Sequence, residues 1–165
     1  MRFIFILVLV LFSVSTWGQS MKDLNNKDKI KFFFDKLSKD NMQLVDEFYD
    51  GKIEFIDSVG SINGTEKIKA YYSNMYQNVK SIKFDYSQFY ESENSVVAIW
   101  KMTLQTDKLN GGEPFTVDGN SIIKFGANGK AIYHRDYFDM GAFIYERLPV
   151  IGFVIKKIKD RFKVE

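Results

Sequence analysis

Cysteine is absent from this chain of 165 residues, histidine occurs once, at His134, and proline occurs twice. Without cysteine there is no disulfide, no thiol nucleophile and no lipidated cysteine, so a lipoprotein-type anchor is excluded. One histidine and no thiolate cannot fill the ligand set of a structural zinc site, and no metal is expected. An excess of one charge is also lacking. The 23 basic and 21 acidic residues are interspersed and leave a net charge of +2, which gives no field to draw nucleic acid. There is no low-complexity segment, no internal repeat and no proline- or glycine-rich linker. What remains is a length and a 16% aromatic content that suit one domain with a sizeable core.

Long apolar runs are missing except at the start. "MRFIFILVLVLFSVSTWGQS" has Arg2, an apolar run from Phe3 to Phe12, and then small and polar residues. The run is too short to span a bilayer comfortably and fits a secretory signal peptide. Cleavage after Gly18 is expected, with Thr16 and Gly18 as the small residues, so residues 1–18 are the signal and 19–165 the single domain. An uncleaved N-terminal anchor is the alternative. The expected location is exported, periplasmic or secreted. Loss of residues 1–18 removes Arg2 and no acid, so the charge falls by one.

Along the rest of the chain, periodicity alternates between helix and strand. Ile30, Phe33, Phe34 and Leu37 make one helical face over 28–38, with Asn26 or Asp28 as cap. A second short helix is expected over 41–49, capped by Asp40. "KIEFIDSV" reads as a strand with Ile53, Phe55 and Asp57 on one face. "GSINGT" reads as a loop, with Thr65 capping a helix over 66–79 that carries Tyr71, Tyr72, Met75 and Tyr76. That aromatic stripe suits either core or a pocket wall. Then come "SIKFDYSQFYES", "SVVAIWKMTLQT", "PFTVDGNSIIKF" and "AIYHRDYFDMG", four strands joined by hairpins. "KLNGGE" turns one of them, and "ANGK" has the Asn-Gly signal of a tight turn. Residues 142–165 form a helical extension, with Pro149 opening the last helix. Ile151, Val154, Ile155, Ile158 and Phe162 make its apolar stripe, and lysines crowd the rest. The stripe would cover the mouth of the fold or pack on a sheet edge. The alternative is contact with a membrane surface. Helices followed by an antiparallel meander give an α+β layer pattern, and helices laid on a curved sheet would enclose a cone with an apolar interior.

"YHRDYFD" concentrates the chemistry. His134 and Asp136 are two apart on a strand and share a face. A carboxylate beside an imidazole can order a proton relay. Asp57 across the cone would add a second carboxylate. The competing reading is a buried, mutually bonded polar cluster without chemistry.

The element order, "FIDSVGSINGTEKIKAYY", "VDGNSIIKF" with "NGK", and above all "YHRDYFD" resemble the SnoaL-like branch of the nuclear transport factor 2-like superfamily. The likeness extends to SnoaL-like polyketide cyclases and limonene epoxide hydrolases, and covers about residues 28–145. It implies a cone-shaped fold, a curved antiparallel sheet against N-terminal helices, and often a homodimer through the outer sheet face. It also implies that Asp136 and His134 point inward with Ile132 and Phe138, while Tyr133, Arg135, Tyr137 and Asp139 lie on the outer face. Asp136, His134 and Asp57 are the catalytic candidates, and Phe55, Trp100, Met102, Tyr72 and Phe138 the ligand-binding ones. The chain departs from the epoxide hydrolases on the central strand. Trp100 and Met102 stand where those enzymes use an arginine and an aspartate to hold epoxide and water. Epoxide hydrolysis is therefore not expected. The expected function is binding of a small, mostly apolar molecule. A cofactor-free acid/base enzyme and a dimeric or membrane-surface interaction module are the alternatives.

Overall fold

A computed structural model describes residues 20–163. The expected signal peptide lies outside the described residues. Helix α1, Asn26–Lys36, is capped by Asn25, whose side chain accepts from the Asp28 N–H. The cap thus falls one residue before the expected pair. Its buried Ile30 and Phe33 sit at the expected spacing. Helix α2 is only Leu44–Phe48 and has no side-chain cap, so Asp40 does not start it. Tyr49 leaves the helix and opens strand β1, Tyr49–Ile56.

"GSINGT" is not all loop. Ser61–Asn63 forms β2, a short edge strand antiparallel to β1, with Phe55 opposite Ile62. Helix α3, Thr65–Tyr76, follows. Its cap position is Gly64, at φ 86°, and Thr65 itself makes no cap bond. A left-handed residue ends β2 at that point, a conformation that favours glycine.

Four long strands complete the sheet: β3 (Val79–Ser92), β4 (Ser95–Thr106), β5 (Phe115–Phe125) and β6 (Ala131–Phe138). These four pair as antiparallel neighbours, and the whole sheet has the spatial order β2-β1-β6-β5-β4-β3. The sheet is mixed rather than wholly antiparallel, because β6 returns alongside β1 in parallel. That closing pair brings Phe55 opposite His134. On β4, alternate residues Val96, Ala98, Trp100, Met102 and Leu104 are buried, as the period of a strand with one covered face requires.

A bulge corrects one inward assignment. Ala131 pairs with Phe125 and Tyr133 with Lys124, which leaves Ile132 without an opposite partner. The extra residue turns Ile132 outward, so it is exposed while Ala131 is buried. Asp139 also lies elsewhere than expected. It is past the end of β6, and its Oδ1 accepts from the N–H groups of Gly141 and Ala142 at the start of helix α4, Met140–Phe143. A 3-10 turn, Tyr145–Arg147, leads to α5, Pro149–Asp160, with Pro149 in its first turn as expected. Most of the expected apolar stripe of α5 faces solvent: Ile151, Val154, Ile158 and Phe162 are exposed, and Ile155 is half-buried.

Candidate active site

The concave side of the sheet and the faces of α1 and α3 enclose a cavity. Its walls are almost wholly apolar or aromatic, with Phe55, Tyr72, Trp100, Met102 and Phe138 among them, and Asp57, Ser121 and Asp136 are its polar members apart from tyrosine hydroxyls. Phe143 of α4 closes against Phe138, edge to face with centroids 5.5 Å apart.

Asp136 sits at the head of a hydrogen-bonded chain. Its Oδ1 accepts from the Ser121 hydroxyl and bonds His134 Nε2 at 2.9 Å. Trp100 Nε1–H donates to Ser121 Oγ at 2.9 Å. Behind the imidazole, Tyr49 OH lies 2.7 Å from His134 Nδ1 and 3.2 Å from Tyr72 OH. One assignment of protons completes every link. Tyr72 donates to Tyr49, Tyr49 donates to Nδ1, and Nε2–H donates to Asp136. Burial raises the pKa of both phenols, so they remain donors.

His134 itself is not in the cavity wall. It is fully buried, with Phe55 edge-on at 5.1 Å, Phe34 at 5.8 Å and Tyr49 stacked at 5.9 Å. Its ring is on the inner side of the sheet, bonded to Asp136. It nevertheless stands behind Asp136, where a ligand cannot reach it. Its Nε2 holds the Asp136 carboxylate while its Nδ1 is held by the Tyr49 hydroxyl.

The two carboxylates differ. Asp57 lies just beyond β1, in the turn to β2. Its Oδ1 accepts from the N–H groups of Val59 and Gly60 at 2.7 and 3.0 Å, and its Oδ2 accepts from the Tyr71 hydroxyl. Such an Asx turn is a sufficient structural reason for an aspartate. Tyr71 is held as a phenol, its pKa raised by burial and by that carboxylate. Asp136 is less committed. Among the described residues both of its side-chain bonds fall on Oδ1, and its side chain is 17% exposed.

Four further residues line or support the cavity and were not singled out as site residues from the sequence. Ser121 is the polar member of an otherwise apolar inward row, Val117, Ser121, Ile123 and Phe125, with Gly119 in it. That interruption was the available signal. Gly119 is required by packing: a Cβ there would lie 2.2 Å from the Trp100 ring. Tyr86 lines the same cavity, and among the described residues its buried hydroxyl has no partner. Burial raises its pKa, with the nearby Asp35 and Asp136 charges adding to the effect. Tyr49 had been read as the end of a helix. On the outer face, the Arg135 guanidinium lies 4.8 Å over the Tyr137 ring and Lys124 lies 5.2 Å over Tyr133.

A helix-backed, curved mixed sheet around an aromatic cavity is the nuclear transport factor 2-like fold, and solved structures agree. An NTF2-like protein of unknown function from Burkholderia pseudomallei superposes with a TM-score of 0.63 at 15% identity, covering 73% of this chain and 95% of its own. A SnoaL-like polyketide cyclase of Shewanella denitrificans, so described provisionally, gives 0.63 at 17% identity, covering 71% and 92%. TerC, crystallised with polyporic acid, gives 0.61 at 18% identity, covering 72% and 94%. The SnoaL-like domain model matches residues 30–134, and the chain belongs to that family. No curated protein matches it.

Proposed function

We propose that the cavity binds a small, mostly apolar molecule that carries a carbonyl and a hydroxyl group, and that Asp136 is its polar anchor. One observation carries this reading. An aromatic cavity contains two polar groups that the described residues leave unclaimed, the Tyr86 hydroxyl and Asp136 Oδ2. A phenol offers a donor to a carbonyl, and a carboxylate oxygen offers an acceptor to a hydroxyl. Buried polar groups without partners are costly in a scaffold and useful in a site. TerC, which shares the fold, was crystallised with polyporic acid, so a small-molecule ligand is within this architecture's range.

Cofactor-free acid/base catalysis is the second reading. The chain Tyr72–Tyr49–His134–Asp136 favours it, because it fixes the carboxylate from behind while its other oxygen faces the cavity. In that reading Asp136 takes a proton from carbon beside the ligand's carbonyl and returns it elsewhere on the molecule. Trp100 and Met102 supply neither the arginine nor the aspartate expected of an epoxide hydrolase, so epoxides remain poor candidate substrates. The proposal extends to the setting: an exported protein, from the N-terminal pattern, and a homodimer through Tyr133, Arg135 and Tyr137, from aromatics and charge on an uncovered sheet face. A monomer by sedimentation would remove the dimer.

The test is native mass spectrometry of protein purified from its own host, followed by binding of whatever molecule is retained. Asn at 136 keeps an Oδ1 acceptor for Ser121 and His134 but puts an NH2 group where Oδ2 stood. Asp136→Asn should therefore melt near the parent, within about 1 kcal/mol, and bind the retained molecule at least about tenfold more weakly, the scale of one lost charged hydrogen bond. Full retention of binding in Asp136→Asn would remove Asp136 from the site.

A further inference from the structure

Helix α5 meets the body along a narrow strip, Gly152, Ile155 and Lys159, and leaves most of its apolar residues in solvent. Gly152 is its buried residue, packed so closely that a Cβ would lie 2.3 Å from the Glu146 carbonyl oxygen. Two helical turns on, Lys159 pairs with Glu146 and reaches Asp139 at 3.5 Å. The attachment is thus a glycine, a half-buried Ile155 and an ion pair. The apolar residues are left outside: Val150, Phe153 and Phe162 are 78, 63 and 81% exposed, and Ile151, Val154 and Ile158 are each about half exposed. A helix that covers a core does the reverse.

Charge decides what this face fits. Residues 149–163 hold Lys156, Lys157, Lys159, Arg161 and Lys163 against one acid, Asp160. Lys163 is paired with Asp160, and Lys157 lies over the Phe153 ring at 5.2 Å. Lys156, Lys157 and Arg161 are exposed beside the apolar residues and make no ion pair among the described residues. A second copy of this face would bring those cations against their own kind. An anionic lipid surface instead accepts both features, since apolar side chains enter the headgroup boundary while lysines meet lipid charge. No helix of the described residues is long and apolar enough to cross a membrane, so α5 would lie on the surface.

We propose that α5 docks this protein on anionic phospholipid bilayers through Phe153, Val154 and Ile158, held there by Lys156, Lys157 and Arg161. The absence of cysteine allows a position-specific test in the whole chain. Val154→Cys carries an environment-sensitive fluorophore, and Glu91→Cys, at the far end of β3, carries the same label as the control. Vesicles of phosphatidylcholine alone are compared with vesicles that also contain phosphatidylglycerol. The Val154 label should shift to the blue with phosphatidylglycerol vesicles only, and the Glu91 label should not shift. Lys156→Glu with Lys157→Glu in the Val154→Cys background should weaken the response about tenfold or more, and added salt should weaken the parent response. No shift at Val154, or an equal shift at Glu91, overturns the proposal. A blue shift that grows with protein concentration without vesicles overturns it in favour of a second copy of the chain.

Discussion

His134 and Phe153 are each in the wrong place by ordinary composition, and in opposite senses. The histidine is fully buried among Phe34, Phe55 and Tyr49, where a fold alone would put leucine. The phenylalanine stands in solvent on α5, where a fold alone would put lysine. A buried polar group and an exposed apolar cluster are the two departures that carry information about use. They differ in their cost. Both nitrogens of His134 are hydrogen-bonded, so the interior departure is built into the stability of the fold. The exterior one touches almost nothing, and its removal should leave the fold intact.

The largest effect expected is at the interior end. His134→Ala deletes a fully buried ring and leaves the Tyr49 hydroxyl and one bond of Asp136 unmet. Unpaired buried groups and the vacated space together should cost about 3 kcal/mol or more. For a domain of this size that lowers the melting temperature by about 6–12 °C. A calorimetric scan checks it. A loss no larger than that of a surface change would mean the network does not hold the core, and the contrast with α5 would fall.

Next is the junction between the two regions. Asp139 caps α4 and also reaches Lys159, so it ties the C-terminal unit to β6. Asp139→Ala should cost about 1 kcal/mol, the usual value of an N-cap. The Ala142 N–H holds the carboxyl below its usual pKa, with help from Gly141 and Lys159. A depressed folded pKa means the contribution is complete above the unfolded carboxylate value, about 3.9. It is lost as pH falls through the lower folded value. Protection of the α4 amides, taken relative to the intrinsic exchange rate at each pH, should therefore fall on acidification below about pH 4, and Asp139→Ala should show no such step.

How much of this was legible follows from how local each signal is. Strands β4 and β5 and the turn at Gly129 were readable because a period of two and an Asn-Gly pair are local. The inward direction of Asp136 came from alternation and the motif. Tyr86 was readable as inward for the same reason. Its unpaired hydroxyl was not, since pairing depends on what α1 and α3 bring across the cavity. Ile132 misled because a bulge needs the partner strand to be seen. Asp57 does line the cavity, but its bonds to the Val59 and Gly60 N–H groups belong to a turn that no local period contains. On α5 the amphipathic stripe was plain. Which side faced the body was set by Gly152 against Glu146, a contact that no periodicity contains.

Tyr86→Phe should separate site from scaffold inside the cavity. It removes a hydroxyl without a partner among the described residues, so stability should stay level or rise by up to about 1 kcal/mol. Affinity for the retained ligand should fall. A clear drop in stability would mean that the hydroxyl is satisfied in the folded protein, and that the cavity offers one polar group fewer than proposed.

The smallest effect is expected on the outside. Phe153 is 63% exposed, with Lys157 Nζ 5.2 Å from its ring centroid. Phe153→Ser gives up little burial and a weak cation–π contact. Serine and phenylalanine have about the same helix preference, so the helix itself is little affected. The folded protein should stay within about 0.5 kcal/mol of the parent, read by urea unfolding with an unchanged slope. The same variant should lose much of its response to phosphatidylglycerol vesicles, because the apolar part of the docking face is reduced while its charge is kept. Stability and lipid binding should therefore part company at Phe153, whereas a single change at His134 should strike the fold first. If Phe153→Ser instead lowered stability by as much as His134→Ala, then α5 would pack on the body in solution. Its apolar side would be core, and the contrast between the two regions would be gone.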